Sequence, residues 1–517
     1  MKTASRKHPT ARTAATAIAL VTGMAVAGCA AGPDFKRPAP PQVEDYVLDA
    51  ASSPASPDVP GGNAQHLVAG MDIPGQWWAL FHSRAFDDLI AEAIKANPDL
   101  QAAHAALRNS REILYAGQGA FFPGVDASFQ PTRQKIAEGA VSSGAANGAA
   151  LYSLHTAQVS VGYTPDVFGG VRRSVESLRA QSELQRFQLE AAFLSLTSNV
   201  ANAAVQEASL REQIASTREI IAINAKILEI LRRQHEFGQS SLAEVAAQES
   251  LLAQAQAMLP PLEKQLAQQR DMLATLIGRF PSEARMARFD LSSLQLPQTL
   301  PLSLPAKLVE QRPDVRAAEE NLHSASAQVG VAVSNRLPNI TLSATLGSMA
   351  YATGQLFAAG TGSWMLAGNL AQPIFRGGAL LHQQRAAEAA YDQAEAQYRS
   401  TVLAAFRDVA DTLHAIQADI NGFAAALAAE RAAAKSLAIS ARQLELGDIS
   451  SATLLAVQQS YLQTKLALVQ AKANRLADTI ALFQALGGGW WHRSDTVAGD
   501  VVKGNVTASQ NVNERVR

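Results

Sequence analysis

The 517-residue sequence predicts an α+β membrane protein whose chain is internally duplicated. Three observations support this fold class: landmarks recur at a nearly constant shift, short segments alternate apolar and polar residues, and long segments follow a heptad repeat. The chain is 48% hydrophobic but only 6% aromatic, so its apolar surface comes mainly from Ala, Leu and Val. With 44 basic and 45 acidic residues, it lacks the charge excess expected of a nucleic-acid-binding protein.

The N-terminus carries the pattern of an export signal. Four basic residues precede an apolar stretch at 14–27, which is too short to anchor the chain across a bilayer. The stretch ends in Val26-Ala27-Gly28-Cys29, which resembles the bacterial lipobox and contains the only cysteine of the chain. The resemblance implies a signal peptide at 1–28, S-diacylglycerol and N-palmitoyl groups on Cys29, and, with Ala30 following, export to the outer membrane. An ordinary signal peptide with an incidental cysteine is the alternative.

The rest of the chain divides into a leader, two repeats and a tail. Residues 29–70 are rich in Pro, Ala, Ser and Gly and predict an extended, lipid-anchored leader. Asn97-Pro98-Asp99-Leu100 is echoed by Arg312-Pro313-Asp314-Val315 at a shift of 215, and Gly238 recurs as Gly447 at a shift of 209. These landmarks predict a first repeat at 71–284 and a second at 285–491. Residues 492–517 are polar and aperiodic, which predicts a disordered tail.

Each repeat contains two segments of alternating apolar and polar residues. They predict strands at about 124–134, 155–167, 338–348 and 362–373. A period of two over about ten residues is typical of a membrane-spanning β-strand. Four strands cannot close a barrel, and lipid does not tolerate an open sheet edge. The segments are therefore either soluble strands or strands that several chains pool.

Each repeat also contains two long heptad segments joined by a glycine-containing turn. They predict helical hairpins at about 170–279 and 377–486, with Gly238 and Gly447 at the turns and a serine capping each second helix. Pro260-Pro261 should kink or break the second helix of the first hairpin, because proline removes a backbone donor and clashes with the preceding turn. A soluble coiled-coil stalk would give the same heptads.

Together with the lipobox, several motifs resemble those of the TolC-type outer membrane factors. The likeness is to the lipoprotein branch that serves resistance-nodulation-division efflux pumps, the NodT family. The matching residues are Gly32-Pro33-Asp34-Phe35, Trp77-Trp78, the motifs at 97–100 and 312–315, Gln372-Pro373-Ile374-Phe375 and Ala405-Phe406. The resemblance implies a homotrimer in the outer membrane, with a 12-stranded barrel and an α-helical tunnel reaching into the periplasm. It also implies a periplasmic adaptor protein and an inner-membrane pump as partners.

In this family, acidic side chains near the hairpin turns gate the periplasmic end of the tunnel. Here Ala456 replaces the usual aspartate of the second hairpin. The resemblance leaves Glu244 as the best candidate for an acidic ring and Asp448 as a weaker one. Leu454 and Leu455 would form an apolar gate instead, and Glu244 as an ordinary helix-surface acid is a further alternative.

The sequence shows no catalytic, cofactor or metal motif. It has neither a phosphate-binding glycine loop nor a nucleophile elbow, and its ten histidines are not spaced as metal ligands. The function implied by the resemblance is passive conduction of drugs or toxic small molecules from the periplasm to the exterior. Two alternatives remain: the exit duct of a type I protein secretion system, and a lipid-anchored periplasmic scaffold without a pore.

Overall fold

The structure is a computed structural model that describes residues 30–43, 45–47, 65–135, 151–283 and 290–493. Cys29, the signal peptide and residues 494–517 lie outside these ranges. The strands are β1 (His66–Ala69), β2 (Gly124–Lys135), β3 (Leu151–Tyr163), β4 (Thr299–Leu302), β5 (Asn339–Ala350) and β6 (Gly362–Ala371). The α-helices are α1 (Arg84–Ala96), α2 (Pro98–Gln118), α3 (Gly170–Glu236), α4 (Leu242–Ala257), α5 (Leu259–Leu276), α6 (Pro305–Gln311), α7 (Pro313–Ser334), α8 (Ala379–Leu446) and α9 (Ser451–Ala485).

The chain forms two compact units. Among the described residues, the strand unit comprises 30–38, 107–135, 151–184 and 318–398, and the hairpin unit comprises 39–43, 45–47, 65–106, 185–283, 290–317 and 399–493. Each unit draws segments from both repeats, so the duplication does not correspond to two separate domains.

The strand unit is built on a four-stranded antiparallel sheet of order β2-β3-β5-β6. Its register aligns Val125 with Val161, Val161 with Ala344, and Ala344 with Leu366. Directly opposed residues share a face of a sheet, so this row is apolar across all four strands. The intervening rows are largely polar; one of them joins Asp126, Ser160 and Thr345. One face is therefore apolar across all four strands, as the alternation in the sequence predicts.

The bounds of β3 differ most from the prediction, whereas those of β2, β5 and β6 agree with it within two residues at each end. β3 begins at Leu151 and ends at Tyr163, four residues earlier at each end than expected. The chain leaves the sheet before Pro165, and Asp166 then accepts hydrogen bonds from the backbone N–H groups of Val171 (3.0 Å) and Arg172 (2.8 Å) at the start of α3. β6 ends at Ala371, before Pro373, because proline has no N–H to extend the ladder.

Both hairpins contain a first helix of nearly 70 residues, α3 with 67 and α8 with 68. The return helix of the second hairpin, α9, is continuous, whereas that of the first is split at Met258 into α4 and α5. The break lies immediately before Leu259-Pro260-Pro261, which confirms the effect predicted for the two prolines. Among the helices of the described ranges, none combines the length and apolarity needed to cross a membrane.

The recurring motifs at 97–100 and 312–315 join the short helices to the hairpin ends. Asn97 donates from Nδ2 to the carbonyl of Leu276 at 2.9 Å, and Arg312 donates to the carbonyl of Ala485 at 3.2 Å. The prolines that follow start α2 and α7, where a missing N–H costs nothing. Two different side chains thus satisfy the terminal carbonyls of α5 and α9 at equivalent places.

Glycines complete both junctions. Gly278 and Gly487 have φ of +71° and +94°, and a Cβ there would lie 2.4 Å and 2.5 Å from a carbonyl oxygen of the opposing helix end. Only glycine combines this backbone conformation with such a close approach.

The leader and the tail are more structured than the sequence predicts. Residues 66–69 form β1, which pairs in parallel with β4. In the strand unit, Phe35 stacks on His323 with ring centroids 4.3 Å apart, and Asp34 and Arg37 pair with Arg173 (2.6 Å) and Glu319 (2.8 Å). These contacts attach the start of the predicted leader to the strand unit, and β1 forms a short strand near its end.

At the C-terminal end, the tail that the sequence predicts to be disordered from residue 492 includes two residues with defined contacts. His492 lies 2.6 Å from Asp72 Oδ2, and the Arg493 guanidinium lies 3.5 Å from the centre of the Phe193 ring. A hydrogen bond to Asp72 and cation–π stacking on Phe193 hold these residues within the hairpin unit.

Candidate functional site

The first hairpin turn combines a left-handed glycine with a reciprocal serine–glutamate cap. Gly238 has φ of +69° and follows α3, and Ser241 begins α4. The Ser241 hydroxyl accepts from the Glu244 backbone N–H at 3.3 Å, while Glu244 Oε2 accepts from the Ser241 N–H at 2.8 Å. This is the capping box that Ser-x-x-Glu encodes, and it satisfies two backbone donors at the helix start.

The second hairpin turn has a simpler cap. Gly447 has φ of +78°, and the Asp448 N–H donates to the Gln443 carbonyl at 2.9 Å. Ser450 caps α9 by accepting from the Thr453 N–H at 3.3 Å. Thr453 stands where Glu244 stands in the first hairpin, so the carboxylate of the capping box is missing here.

Glu244 also links the two turns. Its Oε1 accepts a hydrogen bond of 2.7 Å from the hydroxyl of Ser451, the first residue of α9. The Ser241 N–H and the Ser451 hydroxyl hold the pKa of Glu244 below its ordinary value, since both donors favour the charged form. The structure therefore places an ionised carboxylate between the two hairpin turns.

An apolar cluster, here called the tip cluster, packs behind these turns. Its central members are Leu231 of α3, Val245 of α4, Leu444 of α8 and Leu454 of α9. Leu454 is only 1% exposed and belongs to this cluster, so its side chain packs between the helices. Leu455 is half-buried and Asp448 is exposed.

Ion pairs extend these contacts along α3. Lys465 and Lys472 of α9 lie 2.5 Å and 3.2 Å from Glu219 and Glu212 of α3. Toward its own hairpin, α3 pairs through Arg232 with Glu249 of α4 at 2.6 Å, and through Arg218 with Glu263 of α5 at 2.8 Å. All four pairs are at least partly exposed, so each contributes little energy but helps to set the register of the helices.

Comparison with known proteins decides the family. The sequence model of the outer membrane efflux protein family matches residues 89–279 and 304–488, most of the chain. The chain belongs to this family. The pyoverdine export outer membrane protein OpmQ of Pseudomonas aeruginosa is 31% identical over 82% of this chain and 90% of the relative. The toluene efflux pump outer membrane protein TtgC of Pseudomonas putida is 27% identical over 92% of this chain and 95% of the relative.

A solved structure shares the fold. That of the outer-membrane channel OprN has a TM-score of 0.80 at 24% identity, and the match covers 89% of this chain and 100% of that one. The matches confirm the likeness to the outer membrane factors of resistance-nodulation-division efflux. This outer membrane efflux protein therefore acts in export at the outer membrane.

The structure brings together only part of the predicted gate. Glu244 and the turns at Gly238 and Gly447 lie in one place, because the capping residues of both turns meet there. The role of Ser451 was not foreseen, since it lies 207 residues from Glu244 in the sequence. The capping role of Glu244 could have been found, because Ser241-Leu242-Ala243-Glu244 is the capping-box pattern.

The described chain shows no candidate metal centre. In the part of the chain that the structure covers, no three His, Cys, Asp or Glu side chains are grouped as metal ligands would be.

Proposed function

We propose that this outer membrane efflux protein is a lipid-anchored homotrimeric exit duct of a tripartite pump of the resistance-nodulation-division type. Three chains would pool their strands into one 12-stranded barrel, and their hairpins would surround a tunnel reaching into the periplasm. Cargo would move through it passively, driven by an inner-membrane transporter that a periplasmic adaptor joins to the duct. Family membership supports the export role, and the sheet supports the pore.

The observation that carries the proposal is the sheet of the strand unit. Its apolar face is exposed: Trp364, Leu366 and Leu370 of β6 are 74%, 73% and 68% accessible, and Val125 of β2 is 65% accessible. Within the described residues, the outer edges of β2 and β6 have no strand partner. An apolar face suits lipid, a polar face suits a lumen, and the two open edges call for β2 of one copy to pair with β6 of the next.

The hairpin tips suit a gate of mixed character. Three copies of ionised Glu244 around a threefold axis would favour cations over anions at the entrance. Asp448 would add further negative charge. Leu455 is the only one of the two candidate leucines with accessible surface for a constriction, since Leu454 is buried in the tip cluster.

For the cargo, we propose only a chemical class and no single compound. OpmQ and TtgC are named for exporting pyoverdine and toluene, respectively, which differ greatly in polarity. Relatives with such different cargo support a duct that does not itself select, and we propose drugs and toxic small molecules as the cargo.

Single-channel recording of the purified full-length protein in planar bilayers tests the duct. Discrete conductance steps are expected; their absence from correctly assembled trimers would favour the pore-free scaffold. Deleting the gene separates efflux from type I secretion. In the deletion strain and its parent, both the susceptibility to drugs and the set of secreted proteins are measured. Loss of a secreted protein without increased susceptibility would refute the efflux assignment.

A pair of arginine substitutions on β6 tests which face of the sheet meets lipid. Leu366→Arg places a charge on the apolar face, at a cost of about 2–4 kcal/mol per copy near the bilayer centre. This variant should fail to assemble in the outer membrane into trimers that dissociate only on heating. Ala367→Arg, one residue along on the polar face, should assemble and shift the channel toward anions. Equal tolerance of both variants would contradict the barrel.

Two substitutions test the tip. Glu244→Gln removes the charge but keeps a capping-box residue, so cation preference should fall while assembly persists. Ser451→Ala keeps the charge and breaks the link between the turns, and it should raise the open probability instead. Unchanged selectivity in Glu244→Gln would eliminate the acidic ring.

Lipidation is tested by labelling with radioactive palmitate. Cys29→Ser should abolish incorporation, whereas labelling that survives this change would remove Cys29 as the lipid attachment site.

A further inference from the structure

A cleft in the hairpin unit, separate from the tip, has the dimensions of a ligand site. Its volume is about 390 Å³, and residues 70–72, 303–311 and 490–491 contribute to its walls. We call it the tryptophan cleft. Small-molecule sites typically enclose about 300–1,000 Å³ and combine apolar walls with a few polar groups.

Two indole rings form a corner of the cleft. The rings of Trp490 and Trp491 are 6.0 Å apart, with an angle of 85° between their planes. Trp490 Nε1 donates to the Gln311 carbonyl at 2.7 Å, and Trp491 Nε1 donates to Asp72 Oδ1 at 3.1 Å. Because both N–H groups are fixed, the rings are held in place before a ligand arrives, which lowers the entropy cost of binding.

The polar groups of the cleft carry both signs of charge. Lys307 and Glu310 line it from the exposed side of α6, and Asp72 joins them while bound to His492. Opposite charges side by side produce little net field, so the cleft does not favour a strongly charged ligand. They offer both donors and acceptors, which suits a neutral molecule with several hydroxyl groups.

Ser303 provides a second, independent observation. This lining residue is 3% exposed, and its Oγ has no hydrogen-bond partner among the described residues. Its backbone carbonyl is satisfied separately by the Tyr46 hydroxyl at 2.9 Å. A buried hydroxyl without a partner is unfavourable, so a ligand that supplies one would recover that cost.

We propose that the tryptophan cleft binds a neutral hexopyranose. The C–H face of the sugar ring would lie on Trp491, and its hydroxyls would bond to Ser303, Lys307 and Glu310. A purely apolar ligand would leave Ser303 unpaired, and a quaternary ammonium ion has neither an N–H to donate nor an atom to accept a hydrogen bond from Ser303. An amino-sugar glycan and a neutral hexose oligosaccharide share the required ring chemistry.

The test is a titration of the full-length trimer, in a detergent without sugar headgroups, with chitotriose and with maltotriose. Ligand-observed NMR should show saturable binding of at least one. Preference for chitotriose would identify an amino-sugar glycan as the source, and preference for maltotriose a neutral oligosaccharide. Trp491→Ala should weaken binding at least about tenfold, a loss readily measured by this titration.

Ser303→Ala is a second variant, which keeps the test valid if Trp491→Ala does not fold. It removes a hydroxyl that has no partner in the protein, so binding should weaken about threefold or more while the melting temperature does not fall. Ser198→Ala, at another buried serine whose Oγ lacks a partner, is the matched control and should leave binding unchanged. The proposal is overturned if neither sugar binds at about 20 mM, if tetramethylammonium binds instead, or if Trp491→Ala and Ser303→Ala bind as the wild type does.

Discussion

Asp419 of α8 and Asp478 of α9 form a carboxyl pair that should make the second hairpin sensitive to pH. Burial, together with hydrogen bonding to and repulsion from Asp478, raises the pKa of Asp419 to about 7, although the nearby charge of Arg475 opposes the shift. Burial also lowers the pKa of Arg475, whose guanidinium lies 5.0 Å from the Phe423 ring centre and donates to Gln65 Oε1 at 3.2 Å. We therefore expect the two carboxyls to share a proton near neutral pH, which would join α8 to α9.

The sign of the effect follows from proton binding. Between pH 4 and 7 the folded state retains a proton that the unfolded chain has lost, so the free energy of unfolding falls as pH rises through this window. Each pKa unit corresponds to about 1.4 kcal/mol, which gives about 4 kcal/mol for the full difference. Because Asp419 is only half-buried, solvent screening reduces this, and we expect about 1–2 kcal/mol between pH 5 and 8.

The test variant is Asp419→Asn. Its side-chain amide can donate a hydrogen bond to Asp478 but does not titrate between pH 5 and 8. Thermal unfolding of the helices, followed by circular dichroism at pH 5 to 8, should show a wild-type melting temperature that falls by about 2–4 °C. The variant should lose that dependence. Asp411→Asn, at an exposed acid on the same helix, is the matched control and should retain the wild-type slope. A wild-type slope in Asp419→Asn, or a slope of opposite sign, would refute the shared proton.

Three further predictions concern the caps and the leader. Ser241→Ala removes the first cap and should destabilise the tip by about 1 kcal/mol, measured as faster hydrogen exchange at the start of α4; unchanged exchange would contradict the capping role. Gly447→Ala puts a side chain on a residue with left-handed backbone and should reduce the free energy of unfolding by about 1 kcal/mol, which is measured as a lower melting temperature. An unchanged melting temperature would contradict the φ of +78°. Hydrogen bonds that the His323 ring donates to Glu320 and Glu176 raise the pKa of His323, so its charged form should hold the leader below pH 6.5 and release it as pH rises through the folded value. Proteolysis of residues 30–38 should accelerate accordingly, and His323→Gln should be cleaved at one rate at every pH.

The elements of the fold were largely predictable because their patterns are local. Alternation along single strands predicts the apolar face that the pairing of Val161 with Ala344 then completes. Heptads predict α3 and α8, and Pro260-Pro261 predicts the break between α4 and α5. The C-terminal end of β3 was missed because the chain leaves the sheet before Asp166, which caps the start of α3, and this depends on the path of the chain after the sheet.

The candidate site was only partly predictable because its contacts join distant segments. Glu244 was identified through a family likeness, but its bond to Ser451 arises only when the two hairpins pack together. Leu454 and Leu455 are adjacent and chemically identical in the sequence, yet packing buries one of them completely and leaves the other partly accessible.

The sequence by itself determined the duplication, the strand faces, the long helices and the family, because each depends on residue spacing that the backbone geometry converts directly into structure. Only the tertiary structure decided which polar groups meet. It placed Glu244 against Ser451, Asp419 beside Asp478, and two tryptophans from the chain end against residues 303–311. Such meetings depend on how helices pack at close range, and no local spacing encodes them.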